Sequence, residues 1–334
     1  LKQKYVHFEG GRRLFTRETM EKQQTWLYVV ALFVGAAIGL GTPEWGSALH
    51  YTVSPVLAIL LYSMFAQIPF LQLKESLSNL RFIGALLVAN FIVVPVVVWL
   101  LTLAFPQPPA VLIGVYLVLL TPCIDYVIVF TQLGRGNEKL MLAATPILFV
   151  IQMVLLPVYL WLFIGKEAAQ VMQVGPFVEA FLFLIVIPLL LAILTQVMTK
   201  GKTGGERVMN ATAWLPVPMM ALALIVVVAS QIGKVYNDFA VIVDVLPIYI
   251  IFLIAMPLIS RIIVALFRLD TGAGRAVIFS AGTRNSLVVL PLALALPQEW
   301  ATFAAAVIVT QTIVELAGEL IYIRIIPSVV LRDR

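Results

Sequence analysis

Two short stretches place chemically capable residues inside apolar surroundings. Thr121-Pro122-Cys123-Ile124-Asp125-Tyr126 lies within the apolar run Val111–Phe130 and holds the chain's one cysteine, a proline and a carboxylate. Gly282-Thr283-Arg284-Asn285-Ser286 lies in a second apolar run near the other end of the chain. Proline lacks a backbone N–H and clashes one turn back, so Pro122 predicts a break in a helix; Gly282 permits one in the other run. A charge left unpaired at mid-bilayer costs about 3 kcal/mol or more, so irregular backbone and ionisable side chains are tolerated where they line a protein cavity. The two breaks are therefore expected to face each other. Unwound carbonyls and half-helix N-termini at such a crossing can bind a small polar solute.

The residue types narrow the chemistry. A thiolate at Cys123 is a soft ligand for a soft metal or metalloid ion, and a single thiol gives reversible capture; packing as a small hydrophobe is the competing role. Asp125 and Arg284 are expected to pair across the crossing, either as a structural lock or as a pair that opens in a cycle. Glu315 and Glu319 fall one turn apart on one helix face. The deeper one, Glu315, is the proton-carrier candidate, with Asp125 a second; Glu319 is expected to pair with Arg324 instead. Thr121, Thr283, Asn285, Ser286, Gln311 and Gln152 are candidates to line a path, while Asn90 and Gln67 are read as interhelical hydrogen bonders.

Other chemistries are excluded. One cysteine permits no internal disulfide or multi-cysteine metal site, and His7 and His50 lie outside the apolar runs. There is no nucleophile–histidine arrangement, and Gly201–Gly205 lacks the spacing of a phosphate loop. The chain thus reads as no enzyme, with no cofactor and no nucleic-acid partner.

The elements that must position these residues are membrane spans. The chain is 62% hydrophobic and 12% charged, against about 25% charged in soluble domains. Ten runs are long enough to span: Trp26–Gly41, Val53–Leu73, Leu80–Phe105, Ala110–Leu133, Leu140–Ile164, Phe177–Met198, Ala211–Ile232, Val241–Phe267, Arg275–Leu296 and Ala301–Ile326. Residues 16–24 suggest a short interfacial helix, and no cleavable signal is read. Eighteen Lys and Arg fall in the leader, in alternate loops and in the tail, against Lys166 and Lys234 on the other side. This predicts cytoplasmic termini. Arg261 and Arg284 lie within spans. Pro55 and Pro216, Pro95 and Pro257, Asp125 and Asn285, and Gln152 and Gln311 recur at an offset of about 160 residues. Five spans is an odd number, so the second copy is inverted, as in secondary transporters. The expected organisation is a leader (1–24), a first five-helix repeat (25–165), a second, inverted one (175–327) and a tail (328–334), all-α, with discontinuous helices four and nine.

Pro122-Cys123 followed by Thr131-Gln132-Leu133-Gly134-Arg135-Gly136-Asn137 resembles the fourth span of the arsenical-resistance permeases, within the bile acid:sodium symporter superfamily. Glu315 is similar in position to a tenth-span glutamate of those permeases. The resemblance covers about Trp26–Ile326 and implies ten helices in two inverted repeats. It also implies export of arsenite or antimonite across the plasma membrane in exchange for protons, with Cys123 contacting arsenic as substrate and Glu315 carrying the proton. Thr283-Arg284-Asn285-Ser286 departs from the paired asparagines of those exporters and is more similar to the bile-acid-type symporters. The alternative is therefore a sodium-coupled symporter of an organic anion, bile-acid-like or a keto acid, with Arg284 binding its carboxylate.

Overall fold

The structure is a computed structural model describing residues 17–70, 79–124, 126–164, 179, 181–200, 204–235 and 239–333. Among these residues every extended element is a helix. The first three are α1 (Arg17–Gly41), α2 (Pro43–Gln67) and α3 (Leu80–Ala104). The expected fourth span divides into α4 (Pro109–Leu119) and α5 (Val127–Leu133), followed by α6 (Glu138–Phe163). Then come α7 (Leu182–Thr199), α8 (Gly205–Thr212), α9 (Pro216–Val235) and α10 (Phe239–Leu266). The expected ninth span divides into α11 (Thr271–Gly282) and α12 (Ser286–Leu294), and α13 (Gln298–Ile325) closes the fold. Residues 17–24 continue straight into α1 rather than forming a separate interfacial helix.

Among the described residues five helical stretches are long and apolar enough to cross a membrane, and three shorter ones are apolar. Their outer faces expose Trp99, Leu103, Phe183, Leu190, Ile254 and Ile262. A contiguous apolar exterior of this kind marks a surface for lipid. The protein is a multi-pass membrane protein. Pro55 and Pro257 sit inside continuous helices, whereas Pro95 follows a π turn at Ala89–Val93 that absorbs its missing N–H.

The helices pack as two bodies. One comprises α1, α2, α7 and α9; the other comprises α3–α6 and α10–α13. Small residues set the closest approaches. A Cβ on Gly39 of α1 would lie 2.5 Å from Ile232 and 2.6 Å from the Ala229 carbonyl of α9. One on Gly114 of α4 would lie 2.9 Å from the backbone of Ala304 in α13. Without a hydrophobic force between helices in lipid, such backbone proximity is what holds them. The bodies meet where α9 touches α13 and α2 touches α12.

At one end, Arg275 clamps the second body. The sequence places it among loop bases; it lies instead inside α11, 2% exposed. It donates to the carbonyls of Arg135, Pro327 and Leu331 and pairs with Asp333 at 2.8 Å.

Candidate functional site

The interruption between α4 and α5 spans Leu120 to Tyr126; that between α11 and α12 spans Thr283 to Asn285. They lie side by side, joined by an isolated antiparallel bridge between Pro122 and Arg284. The Cys123 N–H donates to the Thr283 carbonyl at 3.1 Å, and the Asn285 N–H donates to the Thr121 carbonyl at 2.9 Å. Each break thus satisfies backbone groups of the other, which buried irregular chain requires. The antiparallel bridge thus sets Cys123 beside Thr283 and Thr121 beside Asn285. Both threonine hydroxyls donate to the carbonyl one turn back, Leu117 and Phe279.

The break residues are buried: Thr121, Cys123, Thr283 and Arg284 have no exposure, and Asn285 and Ser286 have 1%. Asn285 Oδ1 caps α12 by accepting from the Val288 N–H at 3.2 Å. The Arg284 guanidinium turns back across the crossing. It donates to Asn90 Oδ1 at 2.7 Å, the Ser280 carbonyl at 2.5 Å and the Leu119 carbonyl at 3.3 Å, and lies 5.7 Å from the Phe252 ring centre. The last two carbonyls belong to the C-terminal turns of α11 and α4, whose dipoles favour a cation. Asn90, read from sequence as an interhelical bonder, is such a bonder and also a ligand of this guanidinium; it donates to Ser280 as well. Asp125, expected to pair with Arg284, lies outside the described residues.

Glu315, fully buried on α13, accepts from Tyr126 Oη at 2.6 Å, the Arg284 N–H at 2.7 Å and Gln311 Nε2 at 2.5 Å. It therefore ties both breaks to α13. Glu319 is also fully buried, and its partner is Thr283 Oγ1 at 2.6 Å rather than the Arg324 expected from sequence. Ser286 accepts from Thr312 at 2.8 Å. Several buried polar atoms around these elements have no partner among the described residues: Asn285 Nδ2, Gln311 Oε1 and Arg284 Nε. Buried groups of this kind are normally bonded, so they mark where a solute or water completes the site.

A cavity of about 300 Å³ lies between the two bodies and reaches the first break. Its polar lining is Gln24, Tyr28, Gln67, Tyr126 and Thr145, beside Ile124. Among the described residues no charged side chain lines it. Gln24 Nε2 is buried there with no partner among the described residues. Cys123 stands immediately behind Ile124, outside the lining. A larger void of about 580 Å³ between α1, α9, α10 and α13 is lined by aliphatic side chains, with Phe33 and Thr310.

The sequence stretch from 54 to 238 matches the model of the Sodium Bile acid symporter family. The chain belongs to that family. A search of curated proteins finds no match. The family match takes in the first break and ends before the second. The family is one of secondary transporters, so the chain transports a small solute with a coupling ion and is not an enzyme. Within this symporter-family fold the crossing holds Thr121, Pro122, Cys123, Gly282, Thr283, Arg284, Asn285, Ser286, Gln311 and Glu315, whereas Gln152, also read as path-lining, is buried on α6.

Tyr126 escapes a reading of the sequence. It joins the cavity wall, Glu315 and the Arg284 carbonyl, the last at 3.0 Å. A tyrosine at the end of the break resembles any aromatic core residue, and its partner lies 189 positions away. Gly35 and Gly39 did carry a signal, two glycines four apart in an apolar run.

Proposed function

We propose that this family member exports arsenite or antimonite across the plasma membrane in exchange for protons. Both termini are cytoplasmic in this reading, and the two five-helix units are inverted repeats. The observation that carries it is the neutral cavity ending at the first break, one residue from the lone cysteine. Amide and hydroxyl groups suit a neutral trihydroxy acid such as arsenous acid and offer an anion no counter-charge. Gln24, in the N-terminal part of α1, and Gln67, the last residue of α2, lie toward the side that the loop charges assign to the cytoplasm, so the cavity is the loading side in this reading. Solute entering beside Tyr126 reaches Cys123 when Ile124 moves aside. The thiol then exchanges for one arsenic-bound hydroxyl: an S–As bond forms, an As–O bond breaks and one water leaves. The exchange is reversible, as a carrier requires. Thr121, Thr283, Asn285, Ser286 and Gln311 supply the surrounding polar groups, and Glu315, reached through Tyr126, exchanges the proton; Asp125 is the second coupling candidate.

The family's description favours a second reading, sodium-coupled uptake of an organic anion. That reading needs Arg284 to meet a carboxylate, whereas both terminal nitrogens of its guanidinium donate to Asn90, Ser280 and Leu119, leaving only Nε without a partner among the described residues.

Thermal unfolding of the purified protein with arsenite, antimonite, sodium and taurocholate in parallel separates the two. A solute that binds the folded state raises its apparent stability. Stabilisation by arsenite and antimonite is expected; stabilisation by sodium and taurocholate with arsenite silent would replace the proposal with the second reading.

A further inference from the structure

Glu315 and Glu319 sit one turn apart, equally buried, in opposite hydrogen-bonding environments. Glu315 meets up to three donors: the Tyr126 hydroxyl at one oxygen, and the Arg284 N–H and the Gln311 amide at the other. Such a donor set stabilises an ionised carboxylate. Glu319 meets at most one. Its Oε1 lies 2.6 Å from Thr283 Oγ1, and its Oε2 has no partner among the described residues.

Thr283 decides which way that contact runs. A hydroxyl carries one proton. Thr283 Oγ1 also lies 2.7 Å from the Phe279 carbonyl, which can only accept. With the threonine proton on Phe279, the short contact to Glu319 closes only if Glu319 donates. Tyr126 likewise faces two acceptors, yet its contact to the Arg284 carbonyl is longer, 3.0 Å against 2.6 Å to Glu315. Moreover, Glu315 keeps two N–H donors whichever way the tyrosine proton points. Of the two carboxyls, Glu319 is the one built to hold a proton.

The surroundings agree. The charged and titratable groups facing Glu319 are Glu315 and Tyr322 on its own helix, with Arg284 and Tyr126 from the breaks behind Glu315. Tyr322 packs its ring on Gly282 and gives its hydroxyl proton to the Leu253 carbonyl of α10. Leu253 also packs on Gly318, so α10 presents an apolar side chain here. A second carboxylate beside an ionised Glu315 would be repelled, and its Oε2 would be buried with no donor among the described residues.

We infer that Glu319 is a proton-binding site of the crossing, holding a neutral carboxylic acid that donates to Thr283 while Glu315 stands as the carboxylate. A part for this proton alongside the exchange at Glu315 rests on the exporter reading above; its presence does not. The acid ties α13 to the last turn of α11, so release of the proton would free the C-terminal end of that half-helix.

Infrared spectra of the purified protein at neutral pH test this without any transported solute. The wild type is expected to show a protonated-carboxyl C=O component that Glu319→Gln removes and Glu315→Gln leaves in place. In Thr283→Val the same component should move to higher frequency, because the acid loses its acceptor; this variant keeps the test alive if Glu319→Gln folds poorly. Spectra of Glu319→Gln that retain the component, removal by Glu315→Gln instead, or no movement in Thr283→Val would each overturn the assignment. Failure of arsenite to stabilise or cross leaves the infrared result standing and strikes the substrate reading alone.

Discussion

The two helix breaks share a backbone bridge and a threonine that donates one turn back, and differ in their length, capping and exposure to the cavity. The second break, Thr283 to Asn285, is short, capped by its own asparagine and sealed from the cavity. Its arginine is spent on the C-terminal ends of α4 and α11 and on Asn90. The first break, Leu120 to Tyr126, is longer and opens on the cavity through Ile124 and Tyr126; the helix after it starts without a side-chain cap. A pair of interruptions thus differs in setting: one is locked into the crossing, and the other opens on the cavity, where the proposed function places the solute. Pseudo-symmetric transporters need both properties at one point, because a site that binds must also let go.

This division can be broken by substitution. The largest effect is expected at the fixing side. Arg284→Ala removes a fully buried cation and strands the carbonyls of Leu119 and Ser280 and the amide of Asn90. It should cost about 3 kcal/mol or more in thermal unfolding, and Arg284→Lys should not restore it, since one ammonium cannot span the same fork. Next comes Tyr126→Phe, which takes a donor from Glu315. A loss of about 1.5–3 kcal/mol is expected for a bond to a charged group, together with slower transport, because this residue belongs to both breaks. Asn285→Ala removes only the cap of α12 and should cost about 1 kcal/mol. Gln67→Leu, in the cavity wall, should change stability by less than about 0.5 kcal/mol while weakening arsenite-induced stabilisation. Equal stability losses at Gln67 and Arg284 would dissolve the distinction.

Much of this arrangement is legible in the sequence. Pro122 and Gly282 locate both interruptions because backbone chemistry acts locally, and intramembrane charge marks Arg284 and Glu315 because lipid makes charge expensive. The division of each span into two helices follows from the same residues. What escapes is long-range pairing. Arg284 binds Asn90, 194 positions away, and Glu319 meets Thr283 rather than the nearby Arg324. Sequence proximity favours a neighbour on the same helix, whereas burial rewards whichever partner the tertiary fold brings within 3 Å. Arg275 follows the same logic: a base at a span end reads as a loop charge, and its carbonyl partners lie far away in the chain. The extent of the first break was hidden too, since Ile124 and Tyr126 look like core residues until the cavity is known.

The claim that the first break handles the solute turns on Cys123. Arsenite accumulation in inverted membrane vesicles carrying wild type, Cys123→Ser or Cys123→Ala tests it directly, with folding checked by thermal unfolding. The account predicts pH-gradient-driven accumulation by wild type and none by either folded variant. Accumulation by folded Cys123→Ser at the wild-type rate would contradict it and reduce the thiol to packing.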